Sequence, residues 1–172
     1  VLESDVELRA FVWESGSFLE RMLADQPDAW LSFNSDDNKP DSFDDRSPKR
    51  GMEPEGVVVG FVDGIPYAFV GLDKQSGFVA FNIDDPHNPT FEIYRNNRNF
   101  TLLWDEDDFD TMFPLDLGPE GMAFLPKGSL KFHKKTPVLA VANSVSGTIT
   151  LHSLTAPGTP SYSSSSSSSS MM

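Results

Sequence analysis

The chain contains no cysteine, so disulfide bonds, thiolate zinc sites and cysteine nucleophiles are all excluded. This absence leaves the compartment open, because large extracellular β-domains can be stable without disulfides. Histidine is scarce as well. The three histidines, His87, His133 and His152, show no metal-ligand spacing, and each is interpreted as structural or exposed.

Long apolar runs are also missing. The longest, such as residues 57–59, are far too short to cross a bilayer. The chain starts with Val1, and no charged-then-apolar leader follows, which favours a processed chain or a fragment. Neither a Gly-x-Ser-x-Gly elbow nor a Gly-rich phosphate-binding loop occurs in the sequence.

Basic residues are few. The 13 Lys and Arg face 26 Asp and Glu, which gives a net charge of -13. Such a charge repels nucleic acids and anionic lipid surfaces, so no nucleic-acid partner is expected. It favours cations, among which Ca²⁺ best suits carboxylate and amide oxygens. The alternative is that the acidic side chains only keep a secreted protein soluble.

A repeat runs through the middle of the chain. Pro54-Glu55-Gly56 and Pro119-Glu120-Gly121 lie 65 residues apart, and each precedes an apolar run. In both copies a second apolar run follows, then a polar turn ending in Ser-Gly, then a third run. The later runs are 67–72 and 78–83 in the first copy, and 138–143 and 148–154 in the second. Their Val, Phe, Ile and Thr content predicts strands, and residues 91–94 add a fourth strand to the first copy.

Sets of four antiparallel strands are typical of a β-propeller. We therefore predict a mainly β fold, a partial β-propeller of about two four-stranded antiparallel blades with one short helix insertion. The alternative is two unrelated hairpins of a sandwich. Ser17 and Glu20 form a capping-box pattern that begins the helix, and residues 6–12 alternate like a strand.

Two polar stretches set the domain boundaries. The propeller fragment is predicted over residues 1–155, with the helix near 18–26 and an acidic loop over 34–50. A Ser-rich low-complexity tail follows over 156–172, interpreted as a linker or a glycosylated stalk.

Several motifs together resemble one family of surface proteins. They are Val12-Trp13-Glu14-Ser15-Gly16, Phe43-Asp44-Asp45-Arg46-Ser47, Tyr67-Ala68-Phe69-Val70-Gly71-Leu72, Asn96-Asn97-Arg98 and the two Pro-Glu-Gly motifs. In this order they resemble the choice-of-anchor I family over residues 6–154. Its members include the mesenchyme-specific cell-surface glycoprotein and alkaline-phosphatase-like surface proteins. The resemblance implies a secreted or surface-anchored β-propeller, seven-bladed when complete, of which this chain holds about two blades.

The first candidate site lies at the Pro-Glu-Gly motifs. The first strand of each propeller blade lines the central channel, so Glu55 and Glu120 would enter equivalent positions. Their carboxylates could hold a divalent cation or share a proton. The alternative is a structural motif in which proline sets the entry angle, glycine permits close approach and glutamate caps backbone amides.

The second candidate is the acidic loop, where Asp36, Asn38, Asp41 and Asp44 offer oxygen ligands for Ca²⁺. The loop lacks the glycine and distal glutamate of an EF-hand, and the alternative is a disordered, solvated loop. The acidic run at 105–108 is interpreted as a solvated face.

Arg46 and Arg98 are candidates for anion binding, with ion pairs to the Asp-rich loops as the alternative.

The predicted function is a binding or structural role, in matrix or adhesion, for a non-catalytic extracellular or cell-surface protein that Ca²⁺ could stabilise. Its partners would be other extracellular proteins or surface polysaccharide. One alternative is a metal-dependent phosphoesterase, similar to alkaline phosphatase or phytase, with Glu55 and Glu120 as metal ligands and Arg46 or Arg98 on the phosphate. Another is a structural subunit of an extracellular assembly whose open propeller edge pairs with another chain.

Overall fold

The computed structural model describes residues 12–37, 39, 42–102, 115–131 and 133–157. Several sequence predictions fall on residues outside these ranges. They are most of the strand at 6–12, the calcium ligands Asn38 and Asp41, the acidic run at 105–108 and the Ser-rich end of the tail.

Two antiparallel sheets follow two short helices. The helices are α1 (Phe18–Ala24) and α2 (Ala29–Ser32), and the first sheet contains β1 (Pro54–Val62), β2 (Ile65–Leu72), β3 (Phe78–Asn82) and β4 (Thr90–Arg95). The second sheet contains β5 (Pro119–Leu125), β6 (Val138–Asn143) and β7 (Thr148–Ser153). Each strand pairs with its neighbour in sequence, in the orders β1-β2-β3-β4 and β5-β6-β7. The mainly β prediction is confirmed.

The strands of the two sheets pair in equivalent registers. Val57 pairs with Val70 in the first sheet, and Met122 pairs with Val141 at the corresponding place in the second. Both first strands also contain an irregularity directly after their proline. The repeat in the sequence is therefore a repeat of strand pairing.

Backbone hydrogen bonds outside the strands repeat as well. The Lys74 amide donates to the Met52 carbonyl at 3.1 Å, and the Val145 amide donates to the Leu117 carbonyl at 3.2 Å. After the third strand, the Ile83 amide donates to Pro66, and the Leu154 amide makes the same 3.0 Å bond to Pro137. Turns as well as strands thus follow one template.

The sheets pack against each other through unlike faces. We call the side of the first sheet that contacts the second sheet the front face. The side of the second sheet that contacts the first sheet is called the back face. Residues at equivalent positions in the two sheets lie on faces of the same name. The front face of the first sheet contributes Val62, Tyr67, Phe69, Phe78 and Ala80 to the shared core. The back face of the second contributes Met122, Phe124, Leu139 and Val141.

Glycine makes this close approach possible. A Cβ atom on Gly60 would lie 2.2 Å from the Phe124 ring, and one on Gly56 would lie 2.9 Å from the Glu120 carbonyl oxygen. Both distances are far below van der Waals contact, so larger residues at these positions would force the sheets apart.

The remaining face of each sheet exposes apolar side chains. The back face of the first sheet exposes Val57 and Val59, which correspond in register to Met122 and Phe124. The front face of the second sheet exposes Ile149 and is equivalent to the buried front face around Phe78. Each end of the two-sheet stack therefore presents one half of the interface that the two sheets already form.

Helix α1 covers the part of the first sheet's back face formed by β3 and β4. Its buried residues Leu19, Met22 and Leu23 pack in one cluster with Val79 and Phe81. The helix begins where the sequence predicts, but the capping box is wrong. The Ser17 hydroxyl makes no cap hydrogen bond and instead accepts one from Arg21 at 2.8 Å.

Candidate functional site

The acidic loop is ordered in its described part. Four of its residues are buried: Asn34, Ser35, Asp36 and Asp37. The disordered, solvated loop that the composition predicts is therefore wrong for this part of the loop. The cause lies in a residue far along the chain. Gln75, fully buried in the turn after β2, donates from its side-chain amide to the Ser32 carbonyl at 2.8 Å and accepts from the Ser35 amide at 3.3 Å.

Arg46 lies at the centre of a buried charged cluster. Its guanidinium forms a hydrogen-bonded ion pair with Glu53 and lies 3.6 Å from Asp36. Arg50 binds the other oxygen of Glu53 at 3.2 Å, and Lys49 lies 3.9 Å from Asp36. The three cations of this cluster outnumber its two carboxylates, so no negative charge is left over.

A second ion-pair group extends the cluster to the turn after β2. Lys74 lies 2.8 Å from both Asp37 and Asp73. Burial raises the pKa of Asp37, although Lys74 opposes the shift. Burial also acts to raise the pKa of Asp36, but its neighbour Asp37 and the Arg46 charge outweigh burial and lower it. Lys74 thus joins the acidic loop to the first sheet.

Arg98, the second predicted anion ligand, is engaged by the protein's own carbonyl oxygens. Its guanidinium donates to Asp36 at 2.7 Å, to Lys39 at 3.1 Å and to Lys74 at 3.3 Å, and it lies over the Phe100 ring at 4.6 Å. Burial lowers its pKa to about 10. In this structure Arg46 and Arg98 hold the loop together, and anion binding by either stays a prediction.

Glu53 has an unusual backbone for its residue type. Its φ of 50° lies in the left-handed region, where a side chain is costly, and its equivalent in the second sheet is Gly118 with a φ of 70°. The equivalence follows from the hydrogen bonds that their carbonyls accept from Asp73 and Ser144. Sequence reasoning missed Glu53. The signal was present, because aligning Met-Glu-Pro-Glu-Gly with Leu-Gly-Pro-Glu-Gly places the charged Glu53 opposite Gly118.

Three carboxylates meet at the start of β1. Oxygens of Glu53, Glu55 and Asp73 lie within 4.8 Å of one another, so together they could hold a cation. Sequence analysis named Glu55 but not the other two. Glu120 is exposed at the equivalent place in the second sheet, where Gly118 and Ser144 replace the two partner carboxylates. The two motifs are neighbours in space, yet the carboxylate group forms around only one of them.

The other predicted calcium ligands lie elsewhere. Asp44 is exposed and accepts a hydrogen bond from the Ser47 hydroxyl. Asn38 and Asp41 lie outside the described residues.

A buried carboxylate that the sequence analysis did not name joins the two sheets. Asp116 accepts hydrogen bonds from Asn97 at 2.8 Å and from the hydroxyls of Thr148, at 2.7 Å, and Thr150. Burial acts to raise the pKa of Asp116, but these three donors outweigh it and lower the pKa. The side chain links the segment after β4 to β7.

One hydroxyl cluster lies beside a histidine. His133 Nε2 lies 2.8 Å from the Thr136 hydroxyl and 3.1 Å from that of Ser153. In the described part of the chain no carboxylate orients the other ring nitrogen, as a catalytic triad would need. The cluster therefore lacks the third member of a nucleophilic site.

Comparison with known proteins finds a family match in the N-terminal part of the chain. The choice-of-anchor I domain matches residues 4–86, which include α1, the charged loop and β1 to β3. The match confirms the predicted resemblance over these residues. The choice-of-anchor I domain indicates a cell-surface or extracellular protein.

A curated relative covers most of the chain. Gigasin-3a from Magallana gigas is 29% identical over 157 residues, which are 88% of this chain and 53% of the relative. The chain thus spans about half the length of that protein. No solved structure matches the chain. In the described residues, no helix has the length and apolar character needed to cross a membrane.

Proposed function

We propose that the two sheets are successive blades of an extracellular β-propeller with a binding or structural role in adhesion or matrix, and that the charged cluster is structural rather than catalytic. The observation that carries the proposal is the mutual neutralisation of the cluster. Arg46, Lys49 and Arg50 pair with Asp36 and Glu53, and Lys74 pairs with Asp37 and Asp73.

The propeller part is supported by the unlike faces of the interface. A contact between a front face and a back face leaves one of each exposed, so the same contact can be repeated. Successive blades of a propeller pack in this way around a central axis. If the two sheets are blades of a propeller, a structure of the complete propeller should show a further sheet packed on Val57 and Val59. A helix or solvent there would refute the propeller.

The non-catalytic part is supported by what the arginines already bind. Hydrolysis of a phosphoester needs a cation or arginine free to stabilise developing charge. Arg46 and Arg98 are both buried and bind carboxylates or carbonyls of the protein itself. Turning either toward a substrate would leave buried groups unpaired, which is costly.

An activity assay tests this part. We expect no turnover of a generic aryl phosphate with Mg²⁺, Zn²⁺ or Ca²⁺ present. Turnover that is lost in Glu55→Gln, with an unchanged circular dichroism spectrum, would overturn the proposal in favour of the phosphoesterase. Glu120→Gln is the matched control, because Glu120 has the same position in the second sheet without the neighbouring carboxylates.

The calcium proposal now rests on the group of Glu53, Glu55 and Asp73. Their three side chains could contribute part of the six to eight oxygens that Ca²⁺ takes, with water supplying the rest. The ion would compete with Arg46 and Arg50 for Glu53 and with Lys74 for Asp73. Binding to the folded state alone would raise the melting temperature as millimolar Ca²⁺ is added. The rise should vanish in Glu55→Gln and persist in Glu120→Gln. The same melting curve with Ca²⁺ and with chelator would refute the calcium site.

A further inference from the structure

A polar cavity of about 180 Å³ lies where the start of α2 meets the end of β4. Its lining includes Asp28 beside α2, Tyr94 and Arg95 at the end of β4, and Arg98 just beyond that strand. Pockets for larger organic ligands measure about 300–1,000 Å³, so this cavity has room for one small molecule.

The wall of this cavity contains an arginine that the protein does not neutralise. Arg95 is exposed, and in the described part of the chain its side chain makes no hydrogen bond and no ion pair. Its charge acts on His152, whose pKa is lowered by burial, with opposition from Asp116 and a further lowering by Arg95. Arg95 is therefore a cation available to a ligand.

Two further side chains of the lining have donors to spare. The Arg98 guanidinium has five N–H groups, and its bonds to three backbone carbonyls use at most three of them. The Tyr94 hydroxyl accepts a bond from the Asn96 amide at 2.7 Å, which leaves its own proton to be donated. Burial raises the pKa of Tyr94 to about 12, although Asn96 and Gln75 oppose the shift, so the hydroxyl keeps that proton at neutral pH. Arg98 can therefore donate to a ligand without releasing the acidic loop.

The cavity also offers acceptors. Asp28 is exposed, and among the described residues its carboxylate has no ion-pair or hydrogen-bond partner. The Gln26 side-chain nitrogen donates to the Met22 carbonyl at 2.9 Å, so the oxygen of the same amide is the group left for a ligand. The lining thus holds two arginines and one aspartate, a net positive charge in a chain whose net charge is -13. Asp28 and Arg95 line one cavity without pairing with each other.

We propose that this cavity binds a small molecule that carries one carboxylate and several hydroxyl groups, the chemistry of a uronic acid. Arg95, Arg98 and the Tyr94 hydroxyl bind the carboxylate, since charge-assisted bonds to arginine are the strongest that the lining can form. Asp28 and the Gln26 oxygen accept hydrogen bonds from the hydroxyl groups. A neutral sugar would leave Arg95 unpaired, and a simple anion would leave Asp28 unpaired. The proposal rests on the proposed binding role and specifies the chemistry of its ligand.

Calorimetric titration of the full chain with glucuronate tests the proposal. Glucose lacks the carboxylate and acetate lacks the hydroxyl groups, so each should bind about tenfold more weakly than glucuronate, or weaker still. Acetate or inorganic phosphate binding as tightly as glucuronate would overturn the proposal, because the site would then take any anion. A complete lack of glucuronate binding would overturn it as well.

Arg95→Gln tests the residue that binds the carboxylate. We expect it to weaken glucuronate binding about tenfold, because a charge-assisted hydrogen bond is lost. The Arg95 side chain has no partner within the described residues, so the melting temperature should stay that of the parent chain. Arg21→Gln is the matched control, since it removes an exposed arginine outside the cavity lining. Equal affinities of the two variants would overturn the proposal.

Asp28→Asn separates recognition of the hydroxyl groups from recognition of the charge. The Asp28 side chain makes no cap hydrogen bond to α2, so the substitution removes no support from the helix. It should weaken glucuronate binding and strengthen acetate binding, because the hydroxyl groups lose an acceptor while the carboxylate loses a neighbour of like charge. Tighter binding of both ligands would overturn the role of Asp28.

The methyl glycoside of glucuronate distinguishes a polysaccharide unit from a free acid, because its linkage carbon is blocked as in a polymer. Both outcomes support the site: binding equal to that of glucuronate assigns it to a polysaccharide, and much weaker binding assigns it to the free acid. Failure of the site would leave the packing of the two sheets and the expected lack of phosphatase turnover unchanged. The ligand proposal and the proposed function therefore fail separately.

Discussion

Glu53 shows how one side chain can stabilise a fold while its own backbone is strained. A residue in the left-handed region costs about 1–3 kcal/mol, which its glycine equivalent Gly118 avoids. The ion pairs with Arg46 and Arg50 offset that cost, since loss of one partner of a buried pair costs about 3–5 kcal/mol. The balance favours glutamate only because the arginines are present.

Substituting glycine for Glu53 separates the two effects. Glu53→Gly relieves the strain but leaves Arg46 with only the 3.6 Å contact to Asp36, so we expect a net loss of about 2 kcal/mol in urea unfolding. Asp63→Gly is the control, because Asp63 has a similar φ of 52° but is exposed. It should change stability by less than about 1 kcal/mol. A smaller loss for Glu53→Gly than for Asp63→Gly would contradict this account.

His152 makes stability depend on pH near neutrality. Burial lowers the pKa of His152 below its usual 6.5, with help from the Arg95 charge and opposition from Asp116. Below pH 6.5 the unfolded chain therefore binds a proton that the folded chain does not. Stability is complete above pH 6.5 and falls as the pH drops toward the lowered folded pKa.

Phenylalanine, the residue at the equivalent position 81, should remove that dependence. We expect His152→Phe to lose less stability than the parent chain between pH 7.5 and 5.5, as measured by urea unfolding at each pH. His87→Gln, at an exposed loop position, should leave the dependence as it is. Parallel profiles for His152→Phe and the parent chain would show that His152 is not responsible.

The packing of β1 against β5 between the two sheets depends on the lack of a side chain at Gly60. A valine at Gly60 would overlap the Phe124 ring, and overpacking of this kind costs about 1–3 kcal/mol. We expect the double variant Gly60→Val, Phe124→Ala to be more stable than the sum of the two single losses predicts, because the small residue makes room for the large one. Urea unfolding of the four chains measures the coupling, and strict additivity would refute the contact.

The strands were predictable from the sequence because they repeat, and the charged loop was not. Val, Phe and Ile between Gly and Pro determine each strand locally, and two copies reinforce the pattern. The burial of Asp36 depends instead on contacts that form only after folding. Arg46, at the far end of the same loop, pairs with its carboxylate, the distant Arg98 binds its carbonyl, and the distant Gln75 binds the adjacent Ser35. Composition alone therefore predicted a solvated loop.

The capping box failed for a similar reason. Ser17 and Glu20 have the right spacing, but in the fold the Ser17 hydroxyl accepts from Arg21, and the Glu20 carboxylate extends toward Gly51. The capping-box pattern predicted the start of the helix correctly but predicted the wrong hydrogen bonds. The prediction of Glu55 was incomplete for the same reason. The sequence motif indicates one carboxylate, and only the fold places Glu53 and Asp73 beside it.

At the scale of the whole molecule, the two exposed apolar faces predict self-association of the 172-residue chain. Val59→Glu blocks the back face and Ile149→Glu blocks the front face, so each variant alone should be monomeric. Mixed together, they retain one intact face of each kind and should form a 1:1 dimer. Light scattering after size exclusion measures the masses. Dimers of either variant alone would show that like faces pair.

The order of the strands also has a consequence for how the chain acquires its structure. Every strand pairs with the one next to it in sequence, and the second sheet needs only the first as its template. Short loops close at little entropic cost, so the first sheet can form before the second has left the ribosome. The chain would then assemble in the direction of synthesis, one sheet at a time, with each completed sheet serving as the surface on which the next one nucleates.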